Sequence, residues 1–210
     1  ELLIVSGLEP EKFLPVPGLA EILKEAGAPT YSMIYDGYAD SGLSRIHMRG
    51  VKKRFSFLTA SDMWLGLGSL LNQHPRQRAL FVTYWGMVDG LSHRYGPSSE
   101  AVMAEAHNLG YSLQREFLSR LTPAARKETL LVLVADHGHI DTPPSETVYL
   151  QQHPRLRDLL LLDYAGEPRA AYLYCRQGMK EAVREYFETE LAGQFALVDS
   201  AQALERGLFG

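Results

Sequence analysis

Two short segments of the sequence each place an aspartate and a histidine where they could bind a metal ion. In the first, Asp89 is followed four residues later by His93, and in the second, Asp136 and His137 are adjacent. Carboxylate oxygen and imidazole nitrogen together suit zinc, manganese or iron(II), whereas calcium and magnesium prefer shells made of oxygen. We therefore expect these four side chains to build a site for transition-metal ions.

An apolar run precedes each pair and predicts a strand that delivers it. Residues 80–88 lead into Asp89, and residues 130–135 lead into Asp136. In an open α/β sheet, ligands bind beyond the carboxyl ends of the strands, so two such ends can be neighbours across a crevice. We expect the two pairs to converge there. Two metal ions about 3.5–4 Å apart would hold both the attacking and the leaving oxygen of a phosphate ester.

The order and spacing of these residues resemble a known family. The pattern Asp89-x-x-x-His93-x-x-Gly-Pro, followed later by Ala-Asp136-His137-Gly, is similar to the metal-binding core of the alkaline phosphatase superfamily, in its type I phosphodiesterase/nucleotide pyrophosphatase branch. The resemblance implies that Asp89 and His93 bind one divalent metal and that Asp136 and His137 bind a second. It implies zinc in first place and manganese in second, and a small phosphate ester or nucleotide as substrate.

Other parts of that family's site have no counterpart in the sequence. Members supply a further Asp and a Thr or Ser nucleophile before the first pair, and a last His well after the Asp-His-Gly segment. The resemblance thus implies that the chain is the middle and later part of a longer enzyme, with its nucleophile outside the chain, and that the piece alone is inactive. Ser6 and Thr83 are the candidate hydroxyls by type. We interpret Ser6 as a loop residue, and Thr83 as lying about 20 Å of extended chain before Asp89.

Two further residues lie beside the predicted ligands. Arg94 follows His93, where it would either neutralise a phosphate oxygen or point to solvent. His139 follows the Asp-His-Gly segment at a position where the family usually lacks a ligand. We therefore expect His139 to be a loop histidine, with orientation of Asp136 or contact with the substrate as the alternative. The remaining histidines are predicted to be surface or packing residues: His47, His74, His107 and His153.

The composition is that of an ordinary globular protein, with 46% hydrophobic and 22% charged residues. A net charge of −4 argues against general nucleic-acid binding. No run of the sequence approaches the 18 or more apolar residues of a membrane span. The single cysteine, Cys175, excludes an internal disulfide and slightly favours the cytoplasm, while export stays open.

Strand-like and helix-like patterns alternate along the chain, which predicts a layered α/β fold with a largely parallel sheet. The resemblance implies an alkaline-phosphatase-like architecture with helices on both faces of the sheet, incomplete at both ends. We expect residues 1–210 to form part of one catalytic domain, with residues 151–193 as a small accessory lobe. The best-defined predictions are a strand at 30–35 and helices at 61–71, capped by Ser61 or Asp62, at 97–121 and at 178–191.

Several alternatives stay open at this point. The chain could belong to a phosphomonoesterase, a sulfatase-like enzyme or a phosphomutase-like enzyme of the same superfamily. It could also be a non-catalytic α/β interaction domain, in which the Asp and His residues only cap turns. The oligomeric state is left open by the sequence.

Overall fold

The structure is a computed structural model that describes Gly7, Glu9 and residues 13–209. The candidate hydroxyl of Ser6 lies outside the described residues. The chain divides into two compact units, Glu1–Asp141 and Thr142–Gly210. The first unit contains all the predicted metal ligands, and residues 151–193 fall within the second.

A three-stranded parallel sheet lies at the centre of the first unit. Its middle strand is β1 (Thr30–Tyr35), which pairs on one side with β2 (Lys53–Phe57) and on the other with β3 (Leu80–Thr83). Most of β1 is buried because it has a neighbour on each side. Parallel strands need crossover connections, which helices supply here. The predicted strand at 30–35 and the mixed α/β fold with a parallel sheet are confirmed.

Six α-helices are described in the first unit: α1 (Leu19–Glu25), α2 (Gly42–His47), α3 (Ala60–Gln73), α4 (Met87–Tyr95), α5 (Glu100–Ser112) and α6 (Pro123–Glu128). The predicted cap of α3, Ser61 or Asp62, is wrong by two or three residues. The N-cap is Thr59, whose hydroxyl accepts the backbone N–H of Asp62 at 3.2 Å. The carboxylate of Asp62 instead accepts the backbone N–H of Leu58, so the first turn is stabilised from both sides.

The predicted long helix at 97–121 is interrupted. After α5, the chain continues as a π-helical turn at Leu113–Phe117 and a 3₁₀ turn at Leu118–Arg120. The wider π turn carries Phe117 into the core, where its ring lies 5.4 Å from that of Trp64 on α3. The core of this unit is formed by buried apolar residues of the sheet, α3, the π turn and α6: Met33, Phe57, Ala60, Met63, Trp64, Leu67, Phe117, Leu121 and Ala125.

The strand predicted at 80–88 ends earlier than expected. β3 stops at Thr83, and α4 begins at Met87 after Gly86, so Asp89 lies in the first turn of a helix and not at the tip of a strand. Asp89 and His93 are four residues apart, which is a helical spacing. The apolar run at 80–88 nevertheless led to the prediction of a strand up to Asp89. The strand-length argument that separated Thr83 from Asp89 is therefore wrong. The Thr83 hydroxyl oxygen is nevertheless buried, without a hydrogen-bond partner among the described residues.

The strand predicted at 130–135 is also wrong. This segment pairs with no other described strand, and its side chains are largely exposed, with Leu130 at 86% and Val134 at 81%. A strand that is apolar on both faces is stable only with neighbours that cover both faces. None of the three strands of the described sheet supplies such cover.

The second unit contains the helices α7 (Pro154–Leu159), α8 (Lys180–Thr189) and α9 (Ser200–Glu205), and an antiparallel pair, β4 (Ala165–Glu167) and β5 (Ala170–Tyr172). Its apolar core is Leu156, Leu160, Val183, Tyr186 and Leu191. His153 packs here, with Nδ1 2.9 Å from the Tyr186 hydroxyl, as expected for a packing histidine. No helix of the described residues is long and apolar enough to cross a membrane.

Candidate metal centre

Helix α4 places Asp89 and His93 on one face, because residues four apart are neighbours on a helix surface. The Nε2 atom of His93 lies 3.3 Å from Oδ1 of Asp89. Between them Ser92 is buried, and its hydroxyl donates to the carbonyl of Val88 at 2.7 Å. Ser92 therefore marks the inner face of α4, and its hydroxyl is satisfied within the helix, while the predicted ligands face outward. The helix ends at Tyr95, and Gly96, which caps its C-terminus, adopts φ +87°.

His137 lies between the two predicted pairs. Its Nε2 atom is 3.8 Å from Oδ1 of Asp89 and 3.8 Å from Oδ2 of Asp136. Its Nδ1 atom is 3.0 Å from the carbonyl oxygen of Gly138. A proton on Nδ1 satisfies that carbonyl and leaves the lone pair of Nε2 directed at the two carboxylates, which is the tautomer a metal ligand needs. The structure thus brings together the four residues that the sequence singled out, although neither pair ends a described strand.

His139 is closer to Asp89 than the other two histidines are. Its Nε2 atom is 3.1 Å from Oδ1 of Asp89, in hydrogen-bond contact. Its ring is edge-on to the rings of His93 and His137, with both centroid distances 5.0 Å. One ligand atom each from Asp89, His93 and His139 lie within 4.8 Å of one another, a grouping that could hold a metal ion.

The prediction for His139 was therefore incomplete. His139 was expected to be a loop residue, with orientation of Asp136 or contact with the substrate as the alternative, whereas the structure puts it against Asp89. The sequence carries only a signal that relates His139 to His137, and none that names Asp89 as its partner. In extended chain, residues two apart point to the same side, so His137 and His139 can face the same group.

Tyr84 also lies near the carboxylates of the cluster, and it was not among the site residues predicted from the sequence. Burial of the phenol raises its pKa above the usual value, and the negative charges of Asp89 and Asp136 raise it further. The two carboxylates thus act together on one neighbour. Its ring remains about half exposed, at 48%. The only signal in the sequence that Tyr84 lies near the cluster is its position shortly before Asp89.

The side chain of Arg94 stacks on the ring of the next residue, Tyr95. Its guanidinium carbon lies 5.3 Å from the centre of the Tyr95 ring, and the side chain is exposed. The interaction is a cation–π contact of the surface type. The structure therefore places Arg94 in the last turn of α4, with its side chain exposed to solvent.

The donor set is chemically suited to a borderline-soft divalent metal. Two carboxylates and three imidazoles meet at one end of the first unit, and the nearest pairs are 3.1–3.8 Å apart. Atoms bound to one tetrahedral zinc ion at about 2.0–2.1 Å are roughly 3.3 Å from each other. The spacing of the side chains fits a metal without large movement of the backbone.

The geometry defines a class: an α/β protein whose Asp/His cluster joins the helix after the carboxyl end of a parallel strand to a second, distant segment of the chain. The model of the family described as type I phosphodiesterase / nucleotide pyrophosphatase matches residues 26–204. The chain belongs to this family, which is part of the alkaline phosphatase superfamily. Comparison with curated proteins gives no match, and neither does comparison with solved structures.

Proposed function

We propose that this chain carries the metal-binding part of a two-metal phosphoesterase that hydrolyses phosphodiester, pyrophosphate or phosphomonoester bonds. The observation that supports the proposal is the convergence of Asp89, His93, Asp136 and His137, each with a ligand atom within 3.8 Å of another member of the set. Membership of the phosphodiesterase/pyrophosphatase family supports the reaction class.

In this proposal Asp89 and His93 hold one divalent ion, and Asp136 and His137 hold the other. The bound ions, zinc or manganese, supply Lewis acidity and neutralise charge on the phosphate oxygens. The protein supplies the imidazoles and orients them toward the carboxylates. The Gly138 carbonyl fixes the His137 tautomer, and helix α4 fixes the separation of Asp89 from His93.

We propose further that the nucleophile, a Thr or Ser, lies outside this chain. Thr83 is a poor candidate because its hydroxyl oxygen is buried, so a substrate phosphorus atom could not reach it. The substrate is a small phosphate ester or a nucleotide, as expected for the family. Arg94 is exposed in the last turn of α4, where its guanidinium can turn from Tyr95 to a phosphate oxygen.

Metal content tests the proposal directly. The protein is stripped with a chelator, reloaded with Zn²⁺ or Mn²⁺, and its bound metal is measured after desalting. We expect about two equivalents for the wild type and a lower content for Asp89→Ala and Asp136→Ala. The matched control is Asp40→Ala, an exposed aspartate in the loop after β1. A non-catalytic interaction domain would hold no metal, and the three variants would then be indistinguishable from the wild type.

A second assay tests the expected position of the nucleophile. The metal-loaded protein is incubated with bis-p-nitrophenyl phosphate and with p-nitrophenyl phosphate, and release of nitrophenol is followed. We expect no turnover above that of free metal ions. Robust hydrolysis that disappears in Asp89→Ala would show that the chain supplies its own nucleophile.

A further inference from the structure

We propose that His139 is the third protein ligand of the metal ion held by Asp89 and His93. This inference rests on the proposed function, because it concerns the same metal centre. The contact that motivates it is the 3.1 Å approach of His139 Nε2 to Asp89 Oδ1. The side chain of His139 is 19% exposed, against 67% for His93 and 53% for His137, so it is the most enclosed imidazole of the three.

The distances favour direct ligation. Asp89 Oδ1 is 3.1 Å from the nitrogen of His139 and 3.3 Å from that of His93. Both values are close to the separation of roughly 3.3 Å between two atoms on one tetrahedral zinc ion. His137, at 3.8 Å from the same oxygen, fits less well and has Asp136 at an equal distance. The two-ion division is therefore Asp89, His93 and His139 for one ion, and Asp136 and His137 for the other.

Hydrogen bonding alone gives a poorer account of the same arrangement. The nitrogens of His93, His137 and His139 all converge on Oδ1 of Asp89. A hydrogen bond accounts for the 3.1 Å contact of His139. The distances of 3.3 Å for His93 and 3.8 Å for His137 are longer than the usual range of about 2.7–3.2 Å for N–H···O bonds, so hydrogen bonding leaves their approach to the same oxygen unexplained. A divalent cation reverses the requirement, since each imidazole then offers a lone pair and no proton. The edge-on packing of the rings leaves room for the nitrogens to point inward.

The chain beyond His139 is tied to the helix that carries the other ligands. The hydroxyl of Ser98 donates to Oδ2 of Asp141 at 2.7 Å. Oδ1 of the same carboxylate lies where a Cβ on Gly96, the residue that ends α4, would come within 3.0 Å. His139 is thus held between the Asp136–Gly138 segment and an anchor at the end of α4. Such preorganisation lowers the cost of bringing a ligand into place.

The alternative is that His139 only positions Asp89 by a hydrogen bond and never touches the metal. Two substitutions distinguish these roles. His139→Ala removes both the ligand and the hydrogen bond. His139→Gln keeps an N–H donor near the position of Nε2 but is a poor ligand for zinc or cobalt. A positioning role would therefore be restored by Gln, and a ligand role would not.

The experiment is a titration of the metal-free protein with Co²⁺, followed by visible absorption and by calorimetry. We expect His139→Ala and His139→Gln each to lose one of the two equivalents, or to bind it more than 100-fold more weakly, and we expect the same of His93→Ala. His107→Ala, an exposed histidine on α5, should titrate as the wild type. Circular dichroism of the metal-free proteins checks that each variant folds.

Three outcomes would overturn the inference. Wild-type stoichiometry and affinity in both His139 variants would show that the residue is not a ligand. Loss in His139→Ala with recovery in His139→Gln would assign it a positioning role, for which a change of only 10–100-fold is expected. Absence of Co²⁺ binding by the wild type would overturn the proposed metal centre itself, and that result is distinct from the other two.

Discussion

Oδ1 of Asp89 and Nε2 of His137 approach to 3.8 Å, although one residue lies on helix α4 and the other follows an extended segment. This contact joins the two predicted Asp/His pairs. It places Asp89 next to ligands of both proposed ions, whereas Asp136 approaches His137 of its own pair. The two aspartates should therefore respond differently to substitution.

We predict that Asp89→Asn weakens binding of both metal equivalents, whereas Asp136→Asn weakens mainly one. The expected loss at the site where a carboxylate is a ligand is more than 100-fold, and at the neighbouring site about 10–100-fold, the usual effect of a group that orients a ligand. Calorimetric Zn²⁺ titration of the two variants and of the double variant measures this. Strictly additive effects of the two substitutions would contradict the coupling of the sites.

A second prediction concerns the turn that follows α4. Gly96 adopts φ +87°, which a residue with a side chain rarely does, and a Cβ there would lie 3.0 Å from Oδ1 of Asp141. Gly96→Ala should therefore lower the free energy of unfolding by about 1 kcal/mol or more. It should also weaken metal binding, since Asp141 anchors the segment that carries His139.

The control for this turn is Ser98→Ala, which removes the 2.7 Å hydrogen bond to Asp141 and leaves the backbone unstrained. It should weaken metal binding with a smaller loss of stability than Gly96→Ala causes. Denaturant unfolding and Zn²⁺ titration on the same samples separate the two effects. If Gly96→Ala binds metal as the wild type does, the anchor has no role at the metal centre.

How far the sequence predicted this centre can be judged from its two segments. The convergence of Asp89, His93, Asp136 and His137 was predicted from the order and spacing of the two Asp/His pairs and from their resemblance to a known family, and the structure brings the four side chains together. Their secondary structure was not predictable in the same way. The apolar run at 80–88 fits a strand by composition, yet Gly86 divides it into β3 and the start of α4.

His139 shows the complementary limit. Its neighbour in sequence is the Asp-His-Gly segment, so local reasoning associated it with Asp136, whereas its contact is with a residue 50 positions away. Such a contact depends on how the chain returns to α4, which is a tertiary property. Strand β1, by contrast, was predicted at its observed bounds because its pattern is local and it lies at the centre of the sheet.

A third prediction concerns the exposed apolar segment at 130–134. Its side chains contribute little to the stability of the described fold because they remain in contact with solvent, with Leu130 at 86% and Val134 at 81% exposure. Val132→Thr and Val134→Thr should each change the free energy of unfolding by no more than about 0.5 kcal/mol. They should also reduce binding of a hydrophobic dye, since exposed apolar surface is what such dyes bind.

The comparison for that segment is Phe57→Ala, which removes a side chain from the buried core against Trp85. A loss of about 3–5 kcal/mol is expected there. Urea unfolding of the three variants supplies the free energies. A large loss in Val132→Thr or Val134→Thr would show that the segment is buried in solution and packs as a strand after all.

The last prediction concerns the second unit and its dependence on pH. Asp199 caps helix α9, where its Oδ1 accepts the backbone N–H groups of Ala201 and Gln202, and its other oxygen is paired with Lys180. The ammonium of Lys180 lowers the pKa of the Asp199 carboxyl below its ordinary value of 3.8, and the backbone donors lower it further. The charged form is therefore the one that the folded unit stabilises.

The direction of the pH effect on stability follows from the lowered pKa of Asp199. Stability contributed by Asp199 is fully present above pH 3.8 and is lost as the pH falls through the lowered pKa of the folded state. Asp199→Asn keeps an acceptor for the cap but loses the charge, whereas Asp199→Ala loses both. At neutral pH the melting temperature should fall in the order wild type, Asn, Ala. The difference between wild type and Asn should vanish below the lowered pKa of the carboxyl, and a difference that persists in strong acid would contradict the ion pair as its source.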